Sequence, residues 1–463
     1  MSDIVCISPI DGSVVDRRPT LGGAAIEAAL HAARAAQRDW AQVPLAERCA
    51  RALAFLDAML AMKDEVTPEL AWQMGRPVRY GGEFGPMGDR VRYMVAHAEE
   101  FLAPLVPAGP ADGHIRRFIQ RAPLGVVFTI APWNYPYLTA VNSVVPALVA
   151  GNAVILKHAA QTILVGDRFQ MAVDRAGFPK GLFQTLALGH DDTARIIGAG
   201  AVDLVCFTGS TAAGQVIERA AAGTFTNVGL ELGGKDPAYV RADADLEHAI
   251  ESLVDGAFYN SGQCCCGIER IYVHESLYDR FVEGAAVLAG GYVLGDPRDG
   301  ATTLGPMAQA RLADIVRDQT TEALAMGARA LIDPKRFAAD PGRGAYLAPQ
   351  VLVDVDHRMR VMTEESFGPV VGIMKVAGDE EALRLMNDSV YGLTAAIWTS
   401  DVEAAQALGE RLETGTVFMN RCDYLDPGLA WTGVKDTGRG ATLSKLGYDA
   451  VTRPKSFHLR SLA

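Results

Sequence analysis

The chain has 463 residues, 49% hydrophobic and 21% charged, with a formal net charge of −12. That length exceeds one hydrophobic core and implies two or three domains of about 150 residues, and the acidic balance argues against nucleic acid, which needs a basic surface. No basic segment leads into an apolar one at the N-terminus, no run of about 18 uncharged apolar residues occurs, and seven cysteines lack spaced pairs, so a reduced, cytoplasmic protein with neither signal peptide nor membrane span is expected.

Residues 24–63 carry apolar side chains three and four apart and read as helices. HIRRFIQRAP (114–123) has charges at alternate or adjacent positions, as does RPKSFHLR (453–460) near the far end, and both read as exposed strands. GVVFTI (125–130), NAVILK (152–157), GLFQTLAL (181–188) and VDLVCF (202–207) read as buried strands, with helices at 161–177 and 211–223 between them. Alternation of this kind makes a mostly parallel α/β sheet. The pattern restarts after about 232. Strands are expected at 270–275, 350–355, 370–376, 393–399 and 415–420, and helices near 276–290, 308–327, 379–387 and 401–413.

Five segments carry candidate chemistry. APWNYP follows the first buried strand, where α/β folds bind ligands. Its Asn134 amide suits a developing oxyanion, although read alone the segment is a proline-rich turn with packed aromatics. FTGSTAAG is strand, glycine turn and helix, a phosphate-binding arrangement but not GxGxxG, and weak by itself. VGLELGGK places Glu231 in an apolar strand before a Gly-Gly turn. Buried, it is a general base near neutral pH; at an edge it simply faces water. NSGQCCCG sets Cys264, Cys265 and Cys266 side by side between Gly262 and Gly267. Adjacent cysteines fail zinc spacing and close only a strained disulfide ring, which leaves core filler or a nucleophile as readings, with metal or redox sensing a further one. TEESFGPV (363–370) reads alone as a capped turn.

Together, in this order, PWNYP (132–136), FTGST (207–211), LELGGK (230–235), GQCC (262–265) and EESFGPV (364–370), followed by TGVKDTGRG (432–440), resemble the NAD(P)-dependent aldehyde dehydrogenase superfamily over nearly the whole chain. The resemblance implies an aldehyde dehydrogenase-like α/β fold, with two Rossmann-like parallel domains plus a small β oligomerisation flap. Dinucleotide-binding segments at 1–105 and 124–231, a catalytic domain at 232–440 and oligomerisation segments at 106–123 and 441–463 follow from it, as does a homodimer or homotetramer. It implies no metal.

It also implies roles. Cys265, the residue after Gly-Gln-x, is the nucleophile. Glu231, 34 residues upstream, is the base that activates the deacylating water, and Asn134 holds the oxyanion with the Cys265 N–H. The aldehyde becomes a thiohemiacetal, loses hydride to NAD or NADP, and leaves the thioester as the acid. Trp133, Lys157, Gly209, Ser210, Glu365 and Phe367 match cofactor-binding positions.

Two departures qualify this. An acidic residue often follows the family's lysine by three positions, but here the run is Lys157-His-Ala-Ala160. Nothing at 160 repels a 2′-phosphate, so NADP is expected to be tolerated, with His158 as a neighbour. A late glutamate of the family is absent from Arg439–Leu443, where Thr442 cannot relay a proton as a carboxylate can.

The aldehyde entrance maps to 420–431. There Asp423 and Asp426 disfavour an anionic aldehyde, Tyr424 and Trp431 suit an apolar, aromatic or amino one, and Arg421 cuts the other way. Rival readings are a semialdehyde dehydrogenase, succinate-semialdehyde-like or CoA-acylating, and a non-catalytic structural protein that kept the fold. Glu231 speaks against CoA acylation, since a water-activating base would waste the thioester.

Overall fold

The computed structural model describes residues 3–109, 114–422 and 424–462. Val126–Ala131 is buried at every position. A parallel strand covered on both faces reads as a continuous apolar run, and this one does. It pairs in parallel with Ala153–His158 on one side and Leu204–Thr208 on the other. The six-stranded sheet runs Gly438–Arg439, Asn227–Glu231, Leu204–Thr208, Val126–Ala131, Ala153–His158, Phe183–Thr185. Strand order reverses between Val126–Ala131 and Leu204–Thr208, so a ligand crevice opens beyond their C-terminal ends. Those ends carry the PWNYP and TGS segments.

The second sheet has seven strands, in the order Arg329–Ala330, Gln350–Val353, Val370–Val376, Ile268–His274, Asp236–Val240, Thr394–Trp398 and Thr416–Met419. All are parallel except Arg329–Ala330. Two elements here escape the sequence reading. Asp236–Val240 opens on Asp-Pro, a turn signal, yet all five residues are buried. The Asp236 carboxylate accepts from Thr394 N (3.1 Å) and Oγ1 (2.5 Å), which lets it sit inside. Leu246–Phe258 is a helix whose first turn is capped by Asp245. The hairpin Asp3–Ile7 with Val14–Pro19 was likewise not read. Two Rossmann-like sheets are thus present, as the fold class required.

The sheets are joined covalently at the future site. Glu231 ends a strand of the first sheet, and five positions later Asp236 begins a strand of the second. Gly438–Arg439 returns to lie antiparallel against this same strand, Gly438 opposite Glu231. A small apolar cluster of Cys264, Cys266, Leu393, Trp431 and Leu443 fills the seam. The two charged segments pair with each other: Ile115–Pro123 and Thr452–Arg460 form a separate antiparallel ribbon, with Phe118 stacked on Phe457 at 4.5 Å. Tyr448 and Val451, just before that ribbon, are buried in the core of the first sheet.

Asn152 anchors this return of the chain. Fully buried, it accepts from Gly125 N (2.9 Å) and donates to Ala147 O (3.1 Å) and Val451 O (3.0 Å). Asn152→Ala strands these buried groups and is expected to cost about 2–3 kcal/mol. Calorimetry should show a lower unfolding temperature, while the molecules that remain folded keep their activity.

Candidate active site

The three cysteines are presented by a strained turn. Asn260, Ser261 and Gly262 follow one another in the left-handed region, at φ 53°, 57° and 71°. For Asn260 and Ser261 this costs about 1–2 kcal/mol each. A side chain at Gly262 would come within 2.2 Å of Gly368 O, so only glycine fits. Hydrogen bonds hold the turn. Ser261 Oγ donates to Gly305 O (2.8 Å) and Asn260 Nδ2 to Gln263 O (3.2 Å). Gln263 Nε2 donates to Asn260 O (3.1 Å), and its Oε1 accepts from Ala308 N (2.8 Å). This is the physical content of Gly-Gln before the triplet.

The sulfurs are not equivalent. Cys264 and Cys266 are buried in the seam cluster, their Sγ atoms 3.5 Å apart, while Cys265 is partly exposed. Hydrogen bonding among the three splits their acidities. Contact with Cys265 and Cys266 pulls Cys264 well below the ordinary thiol range, while contact with Cys264, and then burial, pushes Cys265 and Cys266 up. Greater exposure, rather than acidity, sets Cys265 apart from its two neighbours.

Asn134 reaches the same turn. Its Nδ2 donates to Gln263 O at 3.2 Å, leaving the second amide hydrogen unused by protein. Its backbone oxygen accepts from Asn260 Nδ2 (3.3 Å) and from Arg76 Nη2. Arg76 also donates to Asn260 Oδ1 (3.2 Å) and to Glu83 Oε1 (2.5 Å). The other oxygen of Glu83 accepts from Tyr137 N (3.1 Å) and Leu138 N (2.8 Å), capping the helix Pro136–Ala150. Arg76 and Glu83 were not singled out in the sequence; no local pattern marks two residues whose partners lie far along the chain.

Glu231 sits at its strand end, half-buried. Thr208 Oγ1 donates to one carboxylate oxygen (3.1 Å) and Thr442 Oγ1 to the other (2.5 Å). Burial raises its pKa above the ordinary carboxyl value, against the pull of Thr442, Thr208 and the Arg90 charge. Thr442 therefore holds the base in place. Glu231 and Cys265 line one cavity of about 460 Å³, walled by Tyr135, Leu138, Tyr259 and Trp431. Tyr424 borders it too. Arg421 instead stacks over the Tyr424 ring at 3.7 Å, Asp426 accepts from Gly428 N within its own turn, and Asp423 lies outside the described residues.

A second cleft, of about 730 Å³, opens at the crevice of the first sheet. Trp133, Lys157, Gly209 and Ser210 line it, and Thr208 borders both cleft and cavity. Ser210 Oγ accepts from Ala213 N (3.3 Å) and caps the helix Thr211–Ala221, whose N-terminus faces the cleft. A helix N-terminus, a glycine turn and a lysine at the ends of parallel strands suit a dinucleotide. His158 borders the same cleft. Its ring is buried, bonded to Pro136 O and Thr162 Oγ1, and burial pushes its pKa down to about 4. It is neutral and offers no charge to a 2′-phosphate.

Glu365 and Phe367 stand beside this cleft rather than on its wall. Phe367 meets Trp133 edge-on with centroids 5.6 Å apart. Glu365 Oε1 accepts from Gly234 N (3.0 Å), and burial, with Glu269 nearby, pushes its carboxyl up to about 8. Glu269 accepts from Ser366 N (2.8 Å), Phe367 N (2.9 Å) and Lys235 Nζ. This pins the 365–367 turn, including Phe367 at φ 50°.

The model of the aldehyde dehydrogenase family matches residues 1–457. The chain is 34% identical to the succinate-semialdehyde dehydrogenase [NADP(+)] of Deinococcus radiodurans, over 97% of this chain and 93% of that one. It is also 34% identical to the succinate semialdehyde dehydrogenase [NAD(P)+] Sad of Escherichia coli K12, over 96% and 95%. The solved structure of succinic semialdehyde dehydrogenase from Streptococcus pyogenes in complex with NADP+ superposes with a TM-score of 0.93 at 29% identity, covering 99% of this chain and 100% of that one.

The Arg76–Glu83 pair is fully buried, so removing one charge leaves the other unpaired. Glu83→Gln is expected to cost about 3–5 kcal/mol of stability. By letting Asn134 drift it should also lower kcat about tenfold to a hundredfold. Chemical denaturation and steady-state kinetics on the same preparation check both.

Proposed function

The chain belongs to the aldehyde dehydrogenase family, and from that premise we propose how its own residues oxidise an aldehyde with NAD or NADP. The observation that carries this reading is that Cys265 and Glu231, 34 residues apart, line one cavity, which meets the dinucleotide cleft at Thr208.

Cys265 Sγ attacks the carbonyl carbon of the aldehyde. The oxygen that becomes charged accepts from the second Asn134 amide hydrogen and from the Cys265 N–H. Arg76 and Asn260 keep the Asn134 backbone in register for that contact. Trp133, Lys157, Gly209 and Ser210 would hold the dinucleotide, with Glu365 and Phe367 at its nicotinamide end; when bound it supplies the two-electron acceptor. Glu231 then takes a proton from the water that attacks the Cys265 thioester. Its raised pKa suits a base working near neutral pH, and two threonine hydroxyls keep the carboxylate oriented. Collapse releases the acid and returns the sulfur. Glu231 in this position favours water over CoA as the acyl acceptor.

The named relatives weight the substrate toward a semialdehyde over an apolar or amino aldehyde. In the ribbon of Ile115–Pro123 and Thr452–Arg460, Leu105 pairs with Ile119 on the outer side of the first strand, and strand addition along the edge of Thr452–Arg460 suits a homodimer or homotetramer. In domain terms, 1–105 with 124–231 would bind the dinucleotide, 232–440 would carry catalysis, and 106–123 with 441–463 would join subunits. No helix among the described residues is long and apolar enough to cross a membrane.

Cys265→Ala should abolish thioester formation, whereas Cys264→Ala and Cys266→Ala leave it within about tenfold; rapid-quench trapping of acyl-enzyme distinguishes them. The opposite pattern places the nucleophile one residue away. For Glu231→Gln, stopped-flow absorbance should show a first-turnover burst of reduced nicotinamide, followed by steady-state turnover lowered at least about a hundredfold. Unchanged kcat in that variant removes Glu231 from the role.

A further inference from the structure

The substrate cavity contains a charge that the mechanism does not use. Arg90, on the helix Phe84–Ala96, is 5% exposed and lines the cavity together with Cys265 and Glu231. One end of its guanidinium is tethered: Nη1 donates to Leu138 O (2.9 Å) and Asn142 Oδ1 (3.0 Å). The other edge is not. Nε is buried without a hydrogen-bond partner, and no group among the described residues accepts from Nη2. A guanidinium withdrawn from water with one donor edge unmet is costly, and native structures keep such a group for a reason.

The other charges of the wall are paired or stand exposed at its border. Arg76 is paired with Glu83. Lys63 and Asp64 border the cavity with opposite signs. Both Glu231 oxygens accept from Thr208 and Thr442, and Arg90 acts on Glu231 through its charge without a hydrogen bond. What remains without a partner among the described residues is the Nε–Nη2 edge; Nε is shut off from solvent, so Nη2 is the donor left open to a carboxylate oxygen. The surrounding wall of Tyr135, Leu138, Tyr259 and Trp431 is apolar or aromatic and suits the carbon body between two polar ends.

We propose that Arg90 is the specificity-determining residue of this cavity, its unpartnered Nη2 hydrogens receiving the carboxylate of a carboxylated aldehyde whose carbonyl end lies at Cys265. This rests on the aldehyde-oxidising reading above and names the class of substrate. The same guanidinium could instead only support the anions at Cys265 or Glu231; that role would act on every aldehyde alike.

Matched pairs of aldehydes separate the two: 4-oxobutanoate against butanal, and 4-carboxybenzaldehyde against 4-methylbenzaldehyde. The unaltered enzyme should favour the carboxylated member in kcat/KM by about tenfold to a hundredfold. Arg90→Met should erase that preference through KM for the carboxylated member, leaving the neutral one within about threefold, and Arg90→Lys should restore part of it. No preference in the unaltered enzyme overturns the proposal, as does an equal loss on both members in Arg90→Met. If Arg90→Met fails to fold, the comparison on the unaltered enzyme decides alone. Oxidation of the neutral members only overturns this proposal and leaves the reaction standing. Oxidation of no aldehyde overturns both.

Discussion

The site depends on one buried ion pair. Arg76 and Glu83 come from the segment between two N-terminal helices, yet they bind four places at once: the Asn134 carbonyl, the Asn260 side chain, and the first amides of the helix Pro136–Ala150 through Glu83. An ion pair withdrawn from water adds little net stability. Its use here is geometric. It joins the loop leaving the first sheet to the turn that carries the cysteines, two segments with more than a hundred residues between them. Without that tie, Asn134 and Cys265 would belong to separately drifting parts.

A second tie works on the other side. Lys235, Glu269 and Ser366 hold the turn of residues 365–367 against the start of the second sheet. Between the two ties lies the covalent link from Glu231 to Asp236, which passes from one sheet to the other. Two glycines make that passage possible: a side chain at Gly233 would strike the Glu365 carboxylate at 2.5 Å, and one at Gly234 the Cys265 carbonyl at 2.6 Å. LELGGK is therefore a junction as well as a motif. The carboxylate at its start and the backbone at its end approach the cofactor side and the sulfur side together.

Polar groups around the base have a similar logic. Thr208 and Thr442 approach Glu231 from the first sheet and from the returning C-terminal segment. The sequence places a threonine where a proton-relaying carboxylate might have stood. Folded, that threonine orients the base it cannot relay for. His158 shows the converse. It stands beside Lys157 on the cleft, but its ring is bonded to Pro136 O and burial keeps it neutral.

By itself the sequence determined the α/β class, most strands of both sheets, and the candidate site residues that the fold gathers around one cavity, because each is written locally. Continuous apolar runs mark doubly covered strands, and glycine, proline and cysteine at fixed offsets mark turns that no other residues could form. It missed Asp236–Val240, since Asp-Pro signals a turn until Thr394 accepts the burden of a buried carboxylate. It was silent on Arg76, Glu83, Glu269 and Arg90. These residues have no local signature, because what they do is set by partners that only folding brings within 3 Å or so. Tertiary structure alone decided which cysteine stays partly exposed, that His158 is buried and neutral, and that Arg90 lines the cavity with donors unpartnered.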